Sequence, residues 1–230
     1  MNKADVVSRP VLFSTPMIQA LLEGRKTQTR RLVNQKPNKQ GLKLVPELMQ
    51  KIGVGAACPY GKVGDLLWVR ENWATSKDSD SVRPSHLAPA MCQLWYAADE
   101  KFVDSKGGIN FGSYVRGKTR PNIFMPKWAS RLTLKIADIR VERLQNISKK
   151  DALGEGVVRV NNSYLMDPSL ITAEKNERYW GNDNPRGAFF TYFEKLRGSE
   201  LFDSNPWVWV LEFEVYKCNF RELLSGKDKS

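Results

Sequence analysis

Residues 24–31, GRKTQTRR, set Lys26 among Arg25, Arg30 and Arg31, with Thr29 three positions downstream. Like charges crowded round an ammonium lower its pKa toward the range where it accepts a proton. A threonine hydroxyl beside such an amine is a nucleophile or an orienting donor. The guanidinium groups and backbone of the same segment are suited to cradling a phosphate or carboxylate. In an extended strand, positions 26 and 29 point to opposite sides, so a shared site requires a turn within 25–28. A plainer role stays open for the octet, because cations at the end of a helix complement the carbonyl end of its dipole.

A second constellation combines aromatic and basic side chains. Arg70, Glu71 and Trp73 lie at the end of LWVRENW, and Trp128, Ser130 and Arg131 precede another strand. An indole beside guanidinium groups stacks a base and holds a phosphate, whereas tryptophans at strand ends also cap a core. Trp207 and Trp209 alternate with aliphatic residues on one strand and read as core. His86 is the single histidine and lies in a proline-rich loop, so acid–base chemistry falls to Lys, Glu, Asp or Tyr.

Composition narrows the partner. The 230 residues hold 36 Lys and Arg against 25 Asp and Glu, a formal charge of +11 that favours RNA, a nucleoside or a nucleotide. No run of five or six like charges appears, so the charge is spread over a folded surface. Cys58, Cys92 and Cys218 are far apart and form no C-x-x-C pair, which gives no disulfide framework or zinc site and implies a reducing compartment. No metal or cofactor is expected. Without a long apolar run, the expectation is a cytoplasmic protein with no membrane association.

The elements that must position these residues follow from the same sequence. RPVLFS (9–14) reads as a buried strand, and Thr15, Pro16, an apolar stripe and Gly24 read as a short helix that ends where the octet begins. GDLLWVREN (64–72) is a turn and strand, with QLWYAAD (93–99) as its expected neighbour. In SRLTLKIADIRVERL (130–144) the apolar alternation slips near Ala137 and Asp138, which predicts a bulge. SKKDALGEG (148–156) carries a capping signature and two stopping glycines, PRGAFFTYFEKLRG (185–198) a helix, and NPWVWVLEFEVY (205–216) a strand. The expected fold is α+β: one domain over 1–230, a mostly antiparallel β-barrel with short helices and long insertions near 34–63, 74–92, 100–122 and 157–184.

These residues resemble the ASCH domain family of the PUA-like barrel superfamily. The resemblance rests on Gly24, Lys26 and Arg31 as G-x-K-x-x-x-x-R, on VGDLLWVRE, on Asp151, Ala152, Glu155 and Gly156 as D-A-x-x-E-G, and on NPWVWVLEF. LWVRENW, MPKWASRLTL and NPWVWVLEFE are similar to the long, phage-borne branch of that family. The resemblance implies an RNA-associated protein. It also implies an amidohydrolase that deacetylates acetylated cytidine through a Lys, Thr and Glu triad, which falls on Lys26, Thr29 and Glu155. Other members imply a metal-independent ribonuclease. Three classes of function therefore stand: a hydrolase of modified nucleosides or RNA, a non-catalytic RNA-binding module, and a phage accessory protein with an unknown protein partner.

Overall fold

The structure, a computed structural model, describes residues 6–33, 57–89, 92–104, 115–167 and 183–226. In chain order its elements are β1 (Ser8–Leu12), α1 (Thr15–Leu22), β2 (Gln28–Leu32), β3 (Leu66–Arg70), β4 (Trp73–Ala74), β5 (Gln93–Tyr96) and β6 (Lys101–Asp104). Then come β7 (Thr133–Arg143), α2 (Lys149–Gly154), β8 (Val158–Val160), β9 (Ser163–Leu165), α3 (Pro185–Arg197), α4 (Ser199–Asp203), β10 (Trp207–Tyr216) and α5 (Phe220–Ser225). One sheet has the order β1-β3-β7-β10-β2, a second β4-β5-β6, and β8 and β9 form a hairpin. β1 and β3 run parallel, while β10 with β2, β4 with β5, β5 with β6 and β8 with β9 run antiparallel. The fold is thus α+β with a mixed, mostly antiparallel sheet. Among the described residues no sheet closes into a barrel.

The chain divides into two compact units. The first comprises Met1–Gln19, Leu66–Leu134 and Val215–Ser230. Here QLWY does not pair with β3 as its sequence suggests; it lies between β4 and β6. The reason is packing: Trp73 on β4, Leu94 and Tyr96 on β5, and Met125 share one apolar cluster with Leu87, Cys92 and Ala129. Burying two large rings together favours that register over a place beside β3. The expected loop at 74–92 contains two single-turn helices, Lys77–Ser79 and Pro84–His86.

A charged clamp closes this core. The Arg131 guanidinium donates from Nε and Nη2 to both oxygens of Glu71, at 2.8 and 2.9 Å, and from Nη1 to Asp99 at 2.8 Å. Its Cζ lies 4.0 Å from the centre of the Tyr96 ring, whose hydroxyl donates to Ala129 O. Burial pushes the Glu71 carboxyl up from its ordinary value, against the opposing pull of Arg131.

The second unit comprises Ala20–Asp65 and Lys135–Glu214. From Val208 to Leu211, β10 is buried on both faces, as a central strand must be. On β7, Ala137 and Asp138 are consecutively exposed before Ile139 turns back to the core, the slip that the alternation predicts. The 157–184 stretch contains the β8–β9 hairpin, whose turn residue Asn161 has φ of +53°. Much of the predicted insertions, 34–56, 105–114 and 168–182, lies outside the described residues. Among the described residues no helix is long and apolar enough to cross a membrane.

Removing one member of a buried ion pair strands the other charge in low dielectric. Arg131→Ala is therefore expected to lower stability by about 3–5 kcal/mol in urea unfolding. Lys135→Ala, which loses only an exposed 3.9 Å contact to Glu214, should stay within about 0.5 kcal/mol of wild type.

Candidate functional site

The basic octet lies in the second unit from residue 24 onward and consists of three short conformations. Gly24, with φ of +75°, ends α1: Gly24 N donates to Leu21 O and Arg25 N to Ala20 O, the paired bonds of a Schellman cap. Lys26 N also donates to Ala20 O. Thr27 then donates to Gly154 O and accepts from Phe213 N, so the connector is pinned on both sides before β2 begins at Gln28. This pinning directs Lys26 inward.

Lys26 is 0 % exposed. Its Nζ donates to Glu155 Oε2 at 2.7 Å and to Glu155 O at 2.8 Å. The other carboxylate oxygen, Oε1, accepts from Arg30 Nη1 at 3.3 Å. Burial drives the Lys26 pKa below its ordinary value, Glu155 pulls it back up, and the charges of Arg31 and Arg30 lower it further. Arg31 is itself held below its ordinary value by burial, in the fields of Tyr60, Glu155 and Arg197.

Each letter of D-A-x-x-E-G has a physical task. Ser148 Oγ caps α2 by accepting from Asp151 N at 3.0 Å, and the Asp151 carboxylate accepts from Gln28 Nε2. Burial pushes the Asp151 pKa up, but hydrogen bonds involving Ser148 and Gln28, with the charges of Arg140 and Arg30, bring it below the ordinary carboxylate range. Ala152 is fully buried, where a larger side chain has no room. Glu155 supplies the carboxylate. Gly156 has φ of +105°, and a Cβ there would stand 3.0 Å from that of Ala20 and 3.5 Å from that of Lys26.

Round this pair runs a wider network. Arg30 also holds Glu142 Oε1 from Nη2 at 2.5 Å and lies 5.8 Å from the Phe189 ring centre. Arg140 reaches Glu142 at 3.4 Å and Asp151 at 3.2 Å, and binds Glu212. Glu142, Arg140, Glu212 and Gln28 belong to no motif. Their signal is the polar alternation Asp138, Arg140, Glu142 along β7 and Gln28, Arg30 along β2.

Of the sequence candidates, the fold brings Lys26, Arg30 and Glu155 into direct contact, with Arg31 within electrostatic reach of Lys26 and Glu155. Arg25 Nη1 donates to Gly156 O at 2.6 Å, which ties the two motifs together. Thr29 is 2 % exposed and sits opposite Leu211 on β10. Among the described residues no hydrogen bond joins its hydroxyl to Lys26 or Glu155. In the first unit, Trp73 is 0 % exposed in the core, Ser130 Oγ donates to Leu132 O, Arg131 is held by Glu71 and Asp99, and Trp128 lies half-buried against the Trp73 cluster. Arg70 lies over the Trp68 ring at 4.5 Å. Among the described residues no group of His, Cys, Asp or Glu is arranged to hold a metal ion.

Gly156→Ala must adopt a backbone conformation that L side chains rarely enter while displacing Ala20, and it is expected to cost about 1–3 kcal/mol in thermal unfolding. The lowered Lys26 pKa also fixes a sign. Between the folded value and 10.5 the unfolded chain holds more proton at this residue, so Lys26 makes stability rise with pH across that window. Urea titrations of wild type and Lys26→Met should therefore diverge in favour of wild type as pH climbs toward 10.5; parallel curves would contradict the depressed pKa.

Compared with protein-family models, with curated proteins and with solved structures, the chain matches none.

Proposed function

We propose that this chain is a hydrolase of amide bonds on a modified nucleoside, free or within RNA, acting through Lys26, Thr29 and Glu155 as its resemblance to the ASCH family implies. An RNA-associated, cytoplasmic role and the family's PUA-like barrel belong to the same proposal. One observation carries it: a lysine that is 0 % exposed, depressed in pKa, and gripped at 2.7 Å by a carboxylate that is itself 2 % exposed. Perturbed, desolvated groups of this kind are suited to acid–base work.

The chemistry balances without a histidine. A neutral Lys26 amine keeps both N–H bonds on Glu155, through the carboxylate and the backbone carbonyl, and its lone pair then lies away from Glu155. That amine takes the proton from Thr29 Oγ1 as the oxygen bonds to the acyl carbon. The C–N bond then breaks, and the Lys26 ammonium returns the proton to the departing nitrogen. Water attacks the acyl-threonine ester next, its proton passing through Lys26 back to Thr29 Oγ1, which releases the carboxylic acid. Glu155 orients the amine throughout. This chemistry requires Thr29 Oγ1 to reach the Lys26 amine when substrate is bound; its flanking residues Gln28 and Arg30 already contact the network.

Hydrolysis of N-acetylcytidine by the purified protein is the test. Lys26→Met and Glu155→Gln should lower the rate by about 10²–10⁴-fold, and Thr29→Val should do so with the ion pair intact, while Thr29→Ser retains activity. Circular dichroism of each variant separates lost chemistry from lost fold. Equal rates in wild type and Thr29→Val would remove threonine as nucleophile, and equal rates in Glu155→Gln would remove the dyad.

A further inference from the structure

The first unit contains a cavity of about 530 Å³ whose lining includes Arg70, Arg83, Ser85, Phe124, Met125 and Pro126. None of these residues belongs to the Lys26 network. Its volume falls within the range of small-ligand pockets, roughly 300–1,000 Å³.

The walls are anchored rather than loose. Met125 forms the floor at 0 % exposure and belongs to the same apolar cluster as Leu87, which follows the turn Pro84–His86. The opposite turn, Asn122–Phe124, is fixed by Asn122: its amide donates to Phe13 O at 3.1 Å and its backbone N to Asn72 Oδ1 at 3.0 Å. That turn nevertheless holds Ile123 and Phe124 at 56 % and 57 % exposure. An aromatic ring held in solvent on a rigid turn is available for stacking.

Charge at this cavity is unbalanced. Arg30, Arg131 and Arg140 each meet carboxylates. Among the described residues neither Arg70 nor Arg83 makes an ion pair. The Arg70 guanidinium lies over Trp68 and donates Nη1 to Ile123 O, yet its buried Nε has no hydrogen-bond partner. Arg83 and Ser85, both exposed, line the same cavity. A buried donor left unsatisfied is destabilising unless something fills its place, and a guanidinium fork matches a phosphate.

We propose that this cavity binds a nucleotide, with the base against Phe124, Met125 and Pro126 and the phosphate on Arg70 and Arg83. A guanidinium pair alone would accept any anion, and an apolar floor alone any small hydrophobe; together they fit a planar group carrying a phosphate ester. The formal charge of +11 extends the same preference to a strand, in which this nucleotide is one unit. The site does not depend on the hydrolase chemistry.

Intrinsic tryptophan fluorescence reports on it directly, because Trp68 lies beneath Arg70. UMP, uridine, inorganic phosphate and a short oligouridylate are titrated into the full-length protein. UMP should bind about tenfold or more tightly than uridine or phosphate, and Arg83→Ala and Phe124→Ala should each weaken it about tenfold. Both substitutions are at exposed positions, so melting temperatures should match wild type. Tighter binding of oligouridylate that weakens steeply with salt identifies a strand as the source; equal affinity for both identifies the free nucleotide. Phosphate binding as tightly as UMP, or UMP binding unchanged in both variants, overturns the assignment, as does the absence of binding by all four probes. Because these are binding measurements, they stand whether or not N-acetylcytidine is cleaved.

Discussion

Burying an ammonium completely is expensive, and everything near residue 26 follows from how that cost is offset. A lone charge taken from water into a protein interior costs several kcal/mol even after relaxation. Lys26 meets it with two oxygens from one residue, the Glu155 carboxylate and carbonyl, both within 2.8 Å. For that to happen, α1 must stop at Gly24, the connector must be held by Gly154 and Phe213, and α2 must be followed by a residue at 156 that tolerates φ of +105° and carries no Cβ to press on Ala20 and Lys26. The two motifs separated by more than a hundred residues are therefore halves of one constraint.

Two electrostatic kinds of arginine differ in whether carboxylates neutralise them. Arg30, Arg131 and Arg140 each meet at least two carboxylates, so their charge is neutralised within the fold and contributes little field outside it. Paired arginines of this kind serve geometry. Arg70 and Arg83, by contrast, meet no carboxylate among the described residues. Candidate ligand contacts chosen by residue type alone mix the two classes, because a guanidinium beside an indole looks the same in sequence whether or not a glutamate approaches from sixty positions away.

That difference in range explains what was legible beforehand. Local signals are legible: Gly24 and Gly198 end helices, Ser148 caps one, and the slip at Ala137 and Asp138 shows in the exposure of β7. The Lys26 and Glu155 pairing was reached through motif resemblance, since nothing in the spacing of 26 and 155 fixes contact. Register was not legible: β5 joined β4 through the shared burial of Trp73 and Tyr96, a long-range preference that alternation cannot express. The β8–β9 hairpin was missed although VVRVNNSYL contains its mark, two asparagines between short apolar-alternating runs.

The Lys26 network also bears on why polar groups occupy this interior at all. Replacing a buried ion pair by well-packed apolar side chains is often neutral or stabilising, so stability alone gives weak grounds for enclosing Lys26, Arg30 and Glu155 together. What apolar residues cannot supply is an amine held at one orientation, its pKa lowered chiefly by burial and further by two neighbouring cations, against the opposing pull of Glu155. In water the same amine would be protonated and mobile, and it would have to shed solvent before accepting a proton. The fold completes that reorganisation in advance, and the carboxylate that makes the burial tolerable is also the group that aims the nitrogen. Structural and chemical roles thus fall on the same atoms, which is why the conservative exchange of the carboxylate for its amide separates them more cleanly than deletion of the lysine.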